Sequence, residues 1–144
     1  MGYSTDFTGQ LSFKKELTVK AVVVLEKFLG QDRRDLPGFE GDEIEKKYGD
    51  HFYHIDVELT EEKDGLKWSG DEKTYGMVAI LNFLLDQVRE VQPDQGYTGE
   101  MLAQGEDPGD AWRVVAKDDG TVEEKKVNIS LEYIKEKFGL KEIE

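Results

Sequence analysis

The chain has 144 residues, is 38% apolar and 10% aromatic, and carries 19 basic against 32 acidic residues for a formal charge of −13, with no cysteine. Its length suits one domain, residues 1–144, burying roughly 68 to 70% of the unfolded surface, and its apolar content separates it from disordered acidic chains. The missing cysteine excludes disulfides, thiolate nucleophiles and cysteine-ligated zinc, and the negative charge argues against phosphate backbones and anionic lipid, which are bound through Lys and Arg.

Tyr3, Thr5, Phe7, Gly9, Leu11 and Phe13 alternate with polar residues, the period of two that marks a strand with one buried face. Thr18 is placed to cap a helix over Val19–Leu29, with Gly30 as its left-handed stop. The Val22-Val23-Val24 run implies burial on more than one side of that helix. Residues 31–50 are charged and hold Pro37, Gly38 and Gly41. A connection this long in a small domain signals a functional or mobile segment.

Tyr53, Ile55, Val57 and Leu59 alternate again, and the turn Glu61–Gly65 leads to Leu66-Lys67-Trp68, a predicted hairpin. Ser69-Gly-Asp-Glu72 has the form of a capping box. The helix it predicts carries Tyr75, Val78, Ile80, Phe83, Leu84, Val88 and Val91 at helical spacing and stops before Pro93. Further strands are predicted from Tyr97 to Ala103, Ala111 to Lys117 and Thr121 to Val127, separated by Asp107-Pro-Gly109 and Asp118-Asp-Gly120 turns. A terminal helix is predicted from Ser130 to Phe138.

The order is β-α-β-β-α-β followed by a β-hairpin and a short helix. This is an α+β chain whose first six elements follow the ferredoxin-like order, with two helices on one face of an antiparallel sheet. Phe7, Val23, Ile55, Val57, Ile80 and Phe83 are its expected central core.

Three stretches carry a resemblance: Met1-Gly-Tyr3-Ser-Thr5-Asp-Phe7-Thr-Gly9, Leu66-Lys-Trp68-Ser-Gly70-Asp-Glu72-Lys73-Thr-Tyr75, and Gly96-Tyr97-Thr-Gly99-Glu100 running on to Gly105-Glu106-Asp107. Together they resemble a group of small hypothetical proteins of bacteriophages and prophages, which share an opening strand of this kind, a W-x-G-x-E-K-x-Y segment and a G-E-D turn. The resemblance implies a phage or prophage setting and brings no activity with it. Gln104 stands where it would place an aromatic, so an aromatic platform there is absent or rebuilt.

No motif for a familiar hydrolase, kinase or metalloprotease occurs. His54-x-Asp56 supplies two residue types of a facial iron triad, but His51 is the only other histidine and its spacing sets it on the opposite strand face. Gly105–Asp110 clusters carboxylates yet lacks calcium-loop spacing. A non-enzymatic protein with no cofactor and no metal is expected.

Two functions fit the residues. One is an acidic interaction protein that occupies a host or viral protein with a basic surface, possibilities including a nucleic-acid-handling or defence component, through Asp56, Glu58, Glu106, Asp107 and Asp110. Like-signed patches of this kind steer oppositely charged partners. The alternative is a small-ligand or nucleotide-binding domain with Trp68, Lys73, Tyr97 and Trp112 as pocket walls. No ~18–20-residue apolar span and no basic, apolar leader occur, so a cytoplasmic location without membrane binding is expected. Self-association into a homo-oligomer is compatible with either reading.

Overall fold

A computed structural model describes residues 4–71, 73–107 and 109–126. Along the chain lie β1 (Asp6–Phe13), α1 (Val19–Phe28), a 3₁₀ turn (Arg33–Asp35), α2 (Glu43–Tyr48), β2 (Val57–Leu59), β3 (Gly65–Trp68), α3 (Met77–Arg89), β4 (Tyr97–Gln104), β5 (Ala111–Ala116) and β6 (Val122–Lys126). The strands form one sheet in the order β2-β3-β1-β4-β5-β6. Every neighbouring pair is antiparallel. The chain is α+β, as the alternation of patterns indicated. The predicted terminal helix lies outside the described residues.

The period of two decides which sheet face is covered. Phe7, Leu11 and Phe13 of β1 stand opposite Ala103, Gly99 and Tyr97 of β4. Met101 and Ala103 in turn face Val114 and Trp112 of β5. This face joins Ala21, Leu25 and Phe28 of α1 and most of α3 in one apolar core. Thr8, Thr98, Glu100 and Leu102, on the other face, are exposed. Both long helices therefore cover the same side of the sheet.

Thr18 caps α1 as expected, its hydroxyl accepting from the Ala21 amide at 3.1 Å. Val23 does not join the core: it is 48% exposed. The buried residues Ala21, Leu25 and Phe28 recur at four and three residues, and two residues from Ala21 the helix has turned about 200°, which carries Val23 to the opposite side. Phe7, Ile55, Val57, Ile80 and Phe83 are buried as predicted.

Two further boundaries move for tertiary reasons. Only Val57–Leu59 of the predicted Tyr53–Leu59 strand pairs with β3. The preceding residues bond instead to the end of α1: Gly30 N–H reaches Ile55 O (2.9 Å), Ile55 N–H reaches Gln31 O (2.9 Å), and Arg33 N–H reaches Tyr53 O (2.8 Å). The helix expected from Ser69 begins at Met77, with left-handed Gly76 (φ 70°) as its N-cap and no side-chain cap. Ser69 gives its hydroxyl to Asp71 rather than to a helix end. A Cβ on residue 76 would lie 2.7 Å from His51 O, so the chain turns here only because it is glycine.

Residues 31–50 are organised by a charge in the core. Arg33 is 1% exposed. Its guanidinium donates to Phe52 O (2.7 Å), Phe39 O (2.8 Å), Gly41 O (3.0 Å) and Glu45 Oε1 (2.8 Å). Burying this cation is tolerable because carbonyls and one carboxylate meet its donors. Phe39 and Tyr48 are thereby carried against Phe83, with ring centroids 5.4 and 5.8 Å away.

Candidate functional site

Antiparallel register brings distant stretches to one end of the sheet. Asp6 of β1 pairs with Gln104 at the end of β4, which pairs with Ala111 at the start of β5. Val57 at the start of β2 pairs with Trp68 at the end of β3. Ser4–Thr5, the segment His51–Asp56, residues 69–71 and 73–76 ahead of α3, and residues 105–107 and 109–110 between β4 and β5 therefore share that end. Two cavities open there. One of about 420 Å³ is lined by His51, Phe52, Tyr53, His54, Asp56, Lys73 and Tyr75. A second of about 200 Å³ has Tyr75, Trp112, Phe7 and Met77 in its wall, so Tyr75 stands between them.

Asp56 is not on an exposed strand face, where the alternation with Glu58 would put it. It precedes β2 and is 8% exposed. Trp68 Nε1–H donates to Thr74 Oγ1 (2.8 Å), and Thr74 is hydrogen-bonded to Asp56, which shares a hydrogen bond with Asp71. This chain of side chains holds residues 69–71 and 73–76 in an irregular path. Burial, and then the neighbouring Asp71 carboxylate, push the Asp56 carboxyl up to about 6 against the partial opposition of Thr74 and His54.

His51 is fixed from behind. Its Nδ1 lies 2.8 Å from Glu45 Oε1, the same oxygen that accepts from Arg33. Its ring meets Tyr53 edge-on with centroids 4.2 Å apart. Arg34 lies on the Tyr53 ring at 3.8 Å and donates to Asp32 through Nε (3.0 Å) and Nη2 (2.6 Å). Those hydrogen bonds hold the Asp32 carboxyl down at about 2. His54 faces the same carboxylate at 3.9 Å.

The other predicted site residues divide. Glu106, Asp107 and Asp110 sit in the β4–β5 turn, where Glu106 accepts from Ser4 N–H (2.8 Å). Gln104 braces that turn, donating to Asp107 O (2.9 Å) and Asp110 O (3.3 Å), so a polar brace occupies the position where the resemblance places an aromatic. Glu58 is exposed on β2 with Lys67 Nζ 3.7 Å away. Of the pocket set, Lys73 lines the larger cavity and Trp112 the smaller. Trp68 packs on Phe7 at 5.8 Å. Tyr97 is no pocket wall: it is fully buried and donates its hydroxyl to Leu81 O (2.7 Å), with burial raising its pKa. The four do not form one site.

Sequence reasoning missed Glu45 and Asp71 as neighbours of this cleft, set Tyr75 on the inner face of a helix rather than in the cleft wall, and took His51 for a plain exposed residue. The pair His51 and His54 was the available signal. What assembles them, Arg33 behind Glu45, is separated along the chain and has no local pattern. Among the described residues no group of three or more His, Asp or Glu side chains could hold a metal ion. No helix among them is long and apolar enough to cross a membrane. Comparison with known proteins returned no matching family model, no matching curated protein and no matching solved structure.

Proposed function

We propose that the protein is a non-enzymatic interaction module that engages a basic protein partner through the acidic end of its sheet. The observation that carries this reading is the convergence of Glu106, Asp107 and Asp110, together with Asp6 and Asp71, at one sheet end by strand register, with Asp56 buried at the same end. Carboxylates gathered on one surface of a chain with charge −13 create a field that speeds encounter with a basic surface and rejects nucleic acid. Glu58, one residue into the edge strand β2, extends the same surface.

The proposal includes a host or viral protein as the partner, in the cytoplasm of a cell carrying a phage or prophage. A nucleic-acid-handling or defence protein is the class of partner whose basic surface such a module would occupy. It also includes a ferredoxin-like core: the order β2-β3-β1-β4, with α1 and α3 over one face, supports that reading, and β5–β6 extends the sheet beyond it.

The test is affinity capture from the host followed by association kinetics with the captured protein across a range of salt. Joint Glu106→Lys and Asp107→Lys should slow association by about tenfold at low salt, and the difference should shrink as the screening length falls below about 8 Å. An association rate indifferent both to the reversal and to salt would refute the proposal.

A further inference from the structure

We propose that the outer edge of β6 is a strand-addition site for a second copy of this chain, and that Asn82 of α3 holds it shut. The inference is independent of the partner proposed for the acidic sheet end.

Strand order leaves β6 at one margin of the sheet and β2 at the other. β2 has three residues, and the backbone ahead of it is bonded to residues 30–33, so β6 with five is the longer margin. An uncovered margin presents a row of N–H and C=O groups that another strand can pair. Register shows which groups these are. Lys117 N–H bonds to Thr121 O at 2.7 Å, which makes those residues the bonded pair closing the β5–β6 hairpin. Bonded and non-bonded pairs alternate along an antiparallel ladder. Glu123 opposite Val115 and Lys125 opposite Arg113 are therefore bonded pairs, and Val122, Glu124 and Lys126 turn their backbone groups outward.

Asn82 meets the first of these as a neighbouring strand would. Its Oδ1 accepts from Val122 N–H at 2.9 Å, and its Nδ2 donates to Val122 O at 3.1 Å. It is the one polar residue between Met77 and Leu85 of α3, and asparagine is a weak helix former. The two bonds explain its place: they set a side-chain amide where the next strand would run. A strand laid along Glu124 and Lys126 meets that amide at Val122.

The edge beyond the amide is complementary to itself. Residues directly opposite in an antiparallel pair are both bonded or both not, so the outward groups of Glu124 face those of Glu124 or Lys126 in another β6. A two-fold axis at Lys125 sets each Glu124 against Lys126 of the second copy, with reciprocal backbone hydrogen bonds and opposite charges. On the other face Lys125 meets its own copy, and Glu123 lies diagonal to it. The run Glu123-Glu124-Lys125-Lys126 is neutral within a chain of charge −13, so copies repel one another least along this strand.

Sedimentation equilibrium of the full chain, at about 0.15 M salt to screen the net charge, compares the wild type with Asn82→Ala and Asn82→Leu. The leucine variant keeps the helix face filled, which guards against a variant that merely unfolds. Both should dimerise at least about tenfold more tightly than the wild type. Hydrogen exchange locates the contact: the Glu124 and Lys126 amides should slow as concentration rises, while Glu123 and Lys125, already bonded to β5, should not change. Adding Glu124→Pro removes an outward N–H, leaves the β5 ladder intact, and should return Asn82→Ala to the monomer. Variants that remain monomeric, a wild type that dimerises as tightly, or a dimer that leaves these amides fast or survives Glu124→Pro, overturn the proposal.

Discussion

Replacing Asp56 by Asn should stabilise the protein at neutral pH. The carboxyl is held near 6 against an ordinary 3.8, first by burial and then by Asp71. Between those two values the folded chain keeps a proton that the unfolded chain releases, so stability falls as pH rises through this window. Below 3.8 both states are protonated and the group costs nothing. Above about 6 the penalty is constant, about 3 kcal/mol at full strength, and adjoining solvent at the cleft mouth reduces it to about 1–2 kcal/mol. Asn keeps the shape, donates to Asp71 and accepts from Thr74, and removes the charge. Urea unfolding of both proteins from pH 4 to pH 8 should show the variant ahead by about 1–2 kcal/mol at pH 7.5, with a melting point about 3–6 °C higher. The gap should close toward pH 4. A variant that is less stable at pH 7.5, or a gap independent of pH, would refute the assignment of a repelled, buried carboxyl.

Arg33→Ala should cost about 3–5 kcal/mol, because it strands the Glu45 carboxylate and three carbonyls, and hydrogen exchange should quicken across residues 36–54. A loss under about 1 kcal/mol would mean that the segment is held by its aromatic contacts alone. Phe83→Ala should cost about 3–5 kcal/mol by opening a cavity. That ring meets Phe28, Phe39, Tyr48 and Phe52 at centroid distances of 5.4–5.8 Å, so an unchanged melting point would remove α3 from the centre of the core.

Local pattern was sufficient wherever one physical rule acted alone. The alternation of Phe7, Leu11 and Phe13 placed β1 and its buried face. Thr18 marked the start of α1 because an N-cap bond closes within four residues. The Asp118-Asp-Gly120 turn set the β5–β6 hairpin, and the single-sided alternation of the strands made an α+β chain with an antiparallel sheet legible from the residues alone. Pattern failed where a distant group outweighed it. Ser69 has the signature of a helix cap, yet Thr74, Asp56 and Asp71 draw residues 69–71 and 73–76 into a cleft wall, and the helix begins only at Met77. Tyr53 and Ile55 alternate as a strand does, yet their backbone bonds go to residues 30–33. The acidic residues were visible as separate runs, and their convergence at one sheet end follows from strand register, which depends on every pairing at once. Arg33 is the clearest case. In the sequence it is one charge in a polar run, and its burial against Phe52, Phe39, Gly41 and Glu45 requires four positions that only the folded chain brings together.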